Sequence, residues 1–179
     1  KPLSLAGLGL IASFTAVAVL APVLAPPAPD SRDAYLIPQD GYSPDPVRPS
    51  AKHVFGTTEQ QYDLYYGTVW GTRTAFKIGV LVVAVSLFLG VLIGGLSGFY
   101  GGWVDEALMR LTDVVMALPR IILAVVIVTV RGPSLLNVVV ALAVVSWPSY
   151  ARLVRGDVLA VKQAEFVLAA RALGAGDLR

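Results

Sequence analysis

Cysteine is absent from the 179-residue chain, and histidine occurs once, at His53. Disulfides, thiolate nucleophiles and cysteine-held metals are therefore excluded, and a metal centre would have to be built from carboxylates alone. Charge is scarce too. Asp, Glu, Lys and Arg make up 15% of the residues and the net charge is +2, too small and too scattered for a nucleic-acid surface. What the chain does have is apolar: 56% of its residues are hydrophobic and the mean hydropathy is +0.71. These residues gather in long runs. A run of ~20 residues rising ~1.5 Å each matches the ~30 Å hydrocarbon core of a bilayer. The pattern excludes a water-soluble domain and predicts an all-α membrane protein with four transmembrane helices.

Residues 1–24 form the first apolar block. It exceeds the ~7–15 residues of a signal-peptide core, which favours an uncleaved span, and the lack of an initiator Met leads us to expect further sequence upstream. Residues 25–75 differ in kind: eight of the twelve prolines lie between Pro22 and Pro49, among Asp30, Asp33, Asp40 and Asp45. Proline fixes φ and removes a donor, so an extended extramembrane loop is expected. With no second histidine nearby, His53 is expected to make a local hydrogen bond instead of ligating a metal.

A second span is expected over about 76–99, where Ser86, Gly90, Gly94, Gly98 and Gly102 recur every fourth residue. That spacing puts small residues on one helix face and lets another backbone come close. A nucleotide-binding reading fails, because no strand precedes these glycines. The third span, about 107–130, carries Asp113, Pro119 and Arg120. Pro119 is expected to kink the helix, and Asp113 to pair with Arg110 on the same face. A charge at mid-membrane costs ~2.5 kcal/mol or more, so Arg120 is expected either to line a cavity or meet an acidic partner, which makes Asp113, Pro119 and Arg120 pathway candidates, or to be a structural ion pair or a snorkelling side chain. Asp105 and Glu106, being adjacent, point in different directions and read as solvated residues of a first helical turn.

A fourth span covers about 135–153, with a kink expected near Trp147, Pro148 and Ser149. Arg152, Arg155, Lys162, Arg171 and Arg179 follow it. Their accumulation places residues 154–179 in the cytoplasm, and four spans then put the N-terminus there as well. Within this segment Phe166, Ala169, Ala170 and Leu173 recur at helical spacing, and Gly174 stands at a C-cap position. Such a short amphipathic helix lies either on a lipid surface or in the groove of another protein. Nothing in the spans suggests an intramembrane enzyme, since they hold no cysteine, histidine pair or facing carboxylates.

Four stretches together resemble the permease subunits of ABC importers of the dipeptide, oligopeptide and nickel group. They are HVFGTTEQQYD with the following WGTRTAF, then GVLIGGLSGFYGGWVDEALMR, SWPSYARLVRGDVL and EFVLAARALGAGDLR. The last resembles the family motif Glu-Ala-Ala, three residues, Gly, matched by Ala169, Ala170 and Gly174. Leu168 stands at the glutamate position, with Glu165 three residues earlier. In the loop, EQQYD leaves only Asp63 as a match to the family pattern.

This resemblance implies a six-span permease fold, of which four spans and the coupling helix are represented, so the core is incomplete at its C-terminal end. It implies that Glu165, Phe166, Leu168, Ala169, Ala170, Arg171, Leu173 and Gly174 dock on a cytoplasmic ATPase subunit. The other implied partners are a second homologous permease subunit, an extracytoplasmic substrate-binding protein and membrane lipid, with no nucleic acid. The chain itself would hold no cofactor and catalyse nothing, ATP and Mg being bound by the partner ATPases. The function implied is ATP-driven import of peptides or similar small solutes across the bacterial inner membrane. The alternative is a membrane scaffold or assembly protein with a lipid-binding or partner-binding tail.

Overall fold

A computed structural model of the chain describes residues 2–27, 37–41, 43 and 45–176. Pro29, Asp30, Asp33 and Pro44 of the Pro-rich loop, and Arg179 of the tail, lie outside the described residues. The described residues form six helices and no strand: α1 (Pro2–Leu24), α2 (Leu64–Tyr100), α3 (Gly102–Ala117), α4 (Arg120–Arg131), α5 (Leu135–Lys162) and α6 (Glu165–Ala172). Three of them, α1, α2 and α5, are long and apolar enough to cross a membrane, and α3 with α4 makes a fourth candidate if that bent pair is one span. This is a multi-pass membrane protein. The chain divides into two units at Gly79, inside α2, and each is described by itself.

In the first unit α1 is apolar around its whole circumference and exposes Leu3, Leu5, Leu8 and Val19, as a lipid-facing helix does. Its buried contacts come late, where Ala21 and Ala25 pack with Val69 against Tyr65, Tyr66 and Trp70. Two of these aromatics also satisfy carbonyls at the end of α1: the Tyr65 hydroxyl donates to Leu24 O at 2.9 Å and Trp70 Nε1 to Ala25 O at 3.0 Å. A helix end leaves such carbonyls without intrahelical partners.

The described residues between Ile37 and Asp63 form isolated bridges and turns and no regular element. It is nevertheless tied down. Gln61, at φ 63, is buried and donates from Nε2 to the carbonyls of Ser43 and Asp45, while accepting from the Thr57 hydroxyl at 3.1 Å.

Helix α2 begins at Leu64, well before the expected start near residue 76. Polar residues do not prevent a helix. Asp63 supplies an N-cap carboxylate, and no proline occurs between Pro49 and Pro119 to stop the helix. The hydroxyls of Thr68, Thr72 and Thr74 each bond back to the carbonyl four residues earlier. At ~1.5 Å per residue its 37 residues extend about 55 Å, well beyond a ~30 Å hydrocarbon core.

In the second unit α5 packs against α3 and α4, and its buried residues include Val139, Ala141, Val145, Trp147 and Ala151, the last of which meets α2 at Gly94. It runs unbroken through Pro148 and on to Lys162, past the expected end near residue 153. The expected single kinked span over 107–130 is instead two helices, α3 and α4, meeting at 85°. Pro119 explains the corner. It forces the preceding Leu118 out of the helical region, to φ −84 and ψ 136, and stands itself as the N-cap of α4.

Along α2, Gly90 and Gly94 lie against the backbone of Tyr150 and Ala151, and a Cβ on Gly98 would stand 2.9 Å from Val158. Ser86 faces Ala143 O at 3.5 Å. Gly102 does not belong to this stripe. It lies beyond the end of α2, at φ 55, with open space around its Cα, because the α2–α3 turn at Gly101 redirects the chain.

Candidate functional site

Two stretches of the second unit carry the chemistry: the end of α5 with α6, and the polar ties among α3, α4 and α5. Helix α5 stops at Lys162, and the extended Ala164, at ψ 142, starts α6. Glu165 opens α6, where a carboxylate suits the positive end of the helix dipole. Gly174, at φ 86, ends it. Its N–H donates to Arg171 O at 2.9 Å and that of Ala175 to Ala170 O at 3.0 Å, the paired bonds of a Schellman stop. No residue of α6 is buried. Phe166 is 70% exposed, Leu168 53% and Leu173 89%, and Ala169 and Ala170 are exposed beside them. Val167 points the other way, into a crevice of about 340 Å³ shared with Phe99, Val158, Val161 and Arg171. The helix therefore rests on α5 by one edge and leaves its other apolar side chains open.

Asp113 and Arg110 are not partners. Arg110 bonds Glu106 at 2.9 Å, one turn earlier on the same face, an orientation that suits the helix dipole. Asp113 instead meets Arg152 of α5 at 2.5 Å. Arg120, the first residue of α4, donates from Nη2 to the Ser149 hydroxyl at 2.9 Å. Ser149 and Arg152 are three residues apart on α5, so the two contacts form a short polar row beside the Pro119 corner. Both Arg152 and Asp113 keep about half of their side chains exposed.

Arg155, three residues further, reaches Asp105 of α3 with Nε and Nη2, each at 2.6 Å from a different carboxylate oxygen. Asp105 is thus not the solvated residue its place in the first turn suggested: its side chain is 19% exposed and also accepts from the Ser97 hydroxyl. Glu106 does remain exposed. Lys162 donates to Gly98 O at 3.1 Å and Phe99 O at 2.7 Å, in the last turn of α2. The sequence identified Arg152, Arg155 and Lys162 only as a basic cluster. For Arg152 and Arg155 the signal that could have found them is the three-residue step from Ser149 to Arg152 and again to Arg155, which makes each successive pair neighbours on the helix surface.

In the first unit His53 is buried between two carboxylates, with Nδ1 2.8 Å from Asp63 Oδ2 and Nε2 3.1 Å from Asp40 Oδ2. Its bonds are hydrogen bonds across the loop, and the described residues hold no cluster of metal-ligating groups. Lys52 also donates to Asp40. That hydrogen bond, against the smaller opposing effect of desolvation and with help from His53, holds the Asp40 carboxyl below its ordinary value of 3.8.

Residues 90–179 match the family model described as binding-protein-dependent transport system inner membrane component. Among curated proteins, the chain is 37% identical over 172 residues to a dipeptide transport system permease protein of Alkalihalophilus pseudofirmus, covering 96% of this chain and 54% of that one. It is 38% identical over 178 residues to a di/tripeptide transport system permease protein of Pseudomonas aeruginosa, covering 98% and 57%. A glutathione transport system permease protein of Pectobacterium atrosepticum is 38% identical over 148 residues, covering 80% and 49%. The chain spans about half the length of these relatives.

Proposed function

Since this chain belongs to the family of binding-protein-dependent transport system inner membrane components, we propose that it is part of a permease subunit of an ATP-driven importer for peptides or similar small solutes. The observation that carries this reading is α6, a short helix fixed to α5 by one edge, stopped by Gly174, with Phe166, Leu168, Ala169, Ala170 and Leu173 open. An apolar helical face of this kind fits a groove on a partner. We assign the partner as a cytoplasmic ATPase subunit, so α6 and both ends of this chain lie on the cytoplasmic side of a bacterial inner membrane and the 25–63 loop lies outside. The permease binds no nucleotide. ATP and Mg belong to the ATPase subunits, a second homologous permease subunit completes the pathway, and a binding protein delivers the solute.

In this reading the polar row of Asp113, Arg152, Arg120 and Ser149 beside Pro119 borders the pathway. Charges at membrane depth are stable only against protein or water, and this row provides both signs for a zwitterionic solute. The test uses the full-length protein assembled with its ATPase subunits. Ala170→Glu, at an exposed position, should leave membrane insertion intact and abolish co-purification of the ATPase; retained co-purification overturns the docking assignment. Arg120→Ala should reduce uptake of radiolabelled trialanine while the complex stays intact, and unchanged uptake removes Arg120 from the pathway.

A further inference from the structure

We propose that Arg155 and Lys162 are positioning residues that join α6 and the end of α5 to the α2–α3 hairpin, so that this hairpin moves with the coupling segment when ATP is bound or hydrolysed. The proposal rests on the reading of α6 as the ATPase-docking helix. It goes beyond that reading by naming the route through which α6 acts on the spans.

The route is built from five hydrogen bonds at one end of the bundle. Arg155 grips Asp105 with two donors, Ser97 of α2 donates to the same carboxylate, and Lys162 donates to two carbonyls in the last turn of α2. The fork of a guanidinium on a carboxylate fixes direction as well as distance, unlike a single ammonium contact. The lysine charge sits at the negative end of the α2 dipole, on carbonyls that have no intrahelical partner.

Behind these bonds Gly98 packs directly on Arg155 O and Val158, and Ser97 is fully buried, so neither helix has slack side chain at this level. Packed interiors transmit displacement for this reason. Helix α6 starts three residues after Lys162, and the intervening Gln163 is itself held, its N–H donating to the last carbonyls of α5. A pull on α6 therefore reaches Lys162 and Arg155 before it reaches the rest of α5. Basic residues that served only to orient the chain in the membrane would need no such partners.

Residues 1–179 hold no cysteine, so Trp103→Cys places one thiol among them, on the exposed first turn of α3, and any cysteine elsewhere in the full-length complex is replaced by serine beforehand. The experiment follows its labelling by a membrane-impermeant maleimide in the full-length complex, nucleotide-free and after trapping with ATP and vanadate. The labelling rate is expected to change on trapping, and that change should be lost in Arg155→Gln/Lys162→Gln while the ATPase subunits still co-purify. The exchanged pair Asp105→Arg/Arg155→Asp should lose less of the response than Arg155→Asp alone.

An unaltered response in Arg155→Gln/Lys162→Gln overturns the proposal, as does the absence of any response in the unsubstituted pair or loss of co-purification in the double variant. A second measurement guards against misfolding. Cross-linking Asp105→Cys to Arg155→Cys with a short bismaleimide should preserve ATP turnover, and arrest of turnover shows that the two groups must part. Failure of the docking reading itself is seen separately, as ATPase co-purification that survives Ala170→Glu.

Discussion

The carboxylate of Asp63 serves two elements at once: Oδ1 accepts the N–H groups of Tyr65 and Tyr66 at the start of α2, and Oδ2 lies 2.8 Å from Nδ1 of His53. One side chain thereby caps a helix and fastens the loop to it. Removing an N-cap side chain costs about 0.5–2 kcal/mol. Here it also leaves a buried imidazole without one of its partners. We expect Asp63→Ala to lower the thermal midpoint of the purified full-length protein in detergent. Glu59→Ala, an exposed loop carboxylate, should leave it unchanged. Equal midpoints for the two variants would remove Asp63 from this role.

Gly94 and Gly95 are neighbours in α2 with opposite surroundings. A Cβ at Gly94 would run into the carbonyl of Ala151, which is backbone and cannot step aside, whereas Gly95 has nothing within 4 Å. Gly94→Ala is expected to destabilise by about 1–3 kcal/mol, the usual cost of overpacking. Gly95→Ala should instead stabilise slightly, by about 0.5–1 kcal/mol, because a helical glycine gives up more backbone freedom on folding than alanine. Denaturation of both variants in the same detergent tests the difference in sign.

Asp40 makes the loop sensitive to acid. Its carboxyl is held below 3.8 in the folded chain, first by the hydrogen bond from Lys52, so its contribution is present above that value and is lost as pH falls through the lower folded value. Hydrogen exchange of residues 50–57 should therefore be slower in the unsubstituted protein than in Asp40→Asn at neutral pH, and the two should converge in acid. A difference that persisted unchanged at low pH would show that the contact is not carried by the carboxylate.

The apolar runs made a multi-pass helical protein legible from the sequence, and the four-residue glycine spacing a close backbone approach along α2, because both depend on patterns within one helix; that α5 is what approaches was not legible. The tail was legible for the same reason, from the spacing of Phe166, Ala169, Ala170 and Leu173 and the stop at Gly174. The start of α2 was not, since Leu64 to Arg73 is aromatic and polar and its helicity depends on Asp63 and on packing against α1. Nor were the ion pairs. Local spacing nominated Arg110 for Asp113, but the true partner lies 39 residues away on a packed neighbour, and Asp105 finds Arg155 at a separation of 50. Such pairings follow from which helix faces meet, which one chain position does not encode by itself.

The 85° corner at Leu118–Pro119 has a further consequence for the surroundings of this chain. Helix α4 has 12 residues, about 18 Å at ~1.5 Å each, so it cannot cross a ~30 Å hydrocarbon layer by itself. At the corner the last carbonyls of α3 and the first N–H groups of α4 lose their helical partners. Lipid tails offer these groups no hydrogen bonds, so wherever the corner lies within the hydrocarbon it must be bathed by water or roofed by another protein surface. In that setting the elbow cannot face lipid: its open backbone groups need a wet cleft or a neighbouring protein wall.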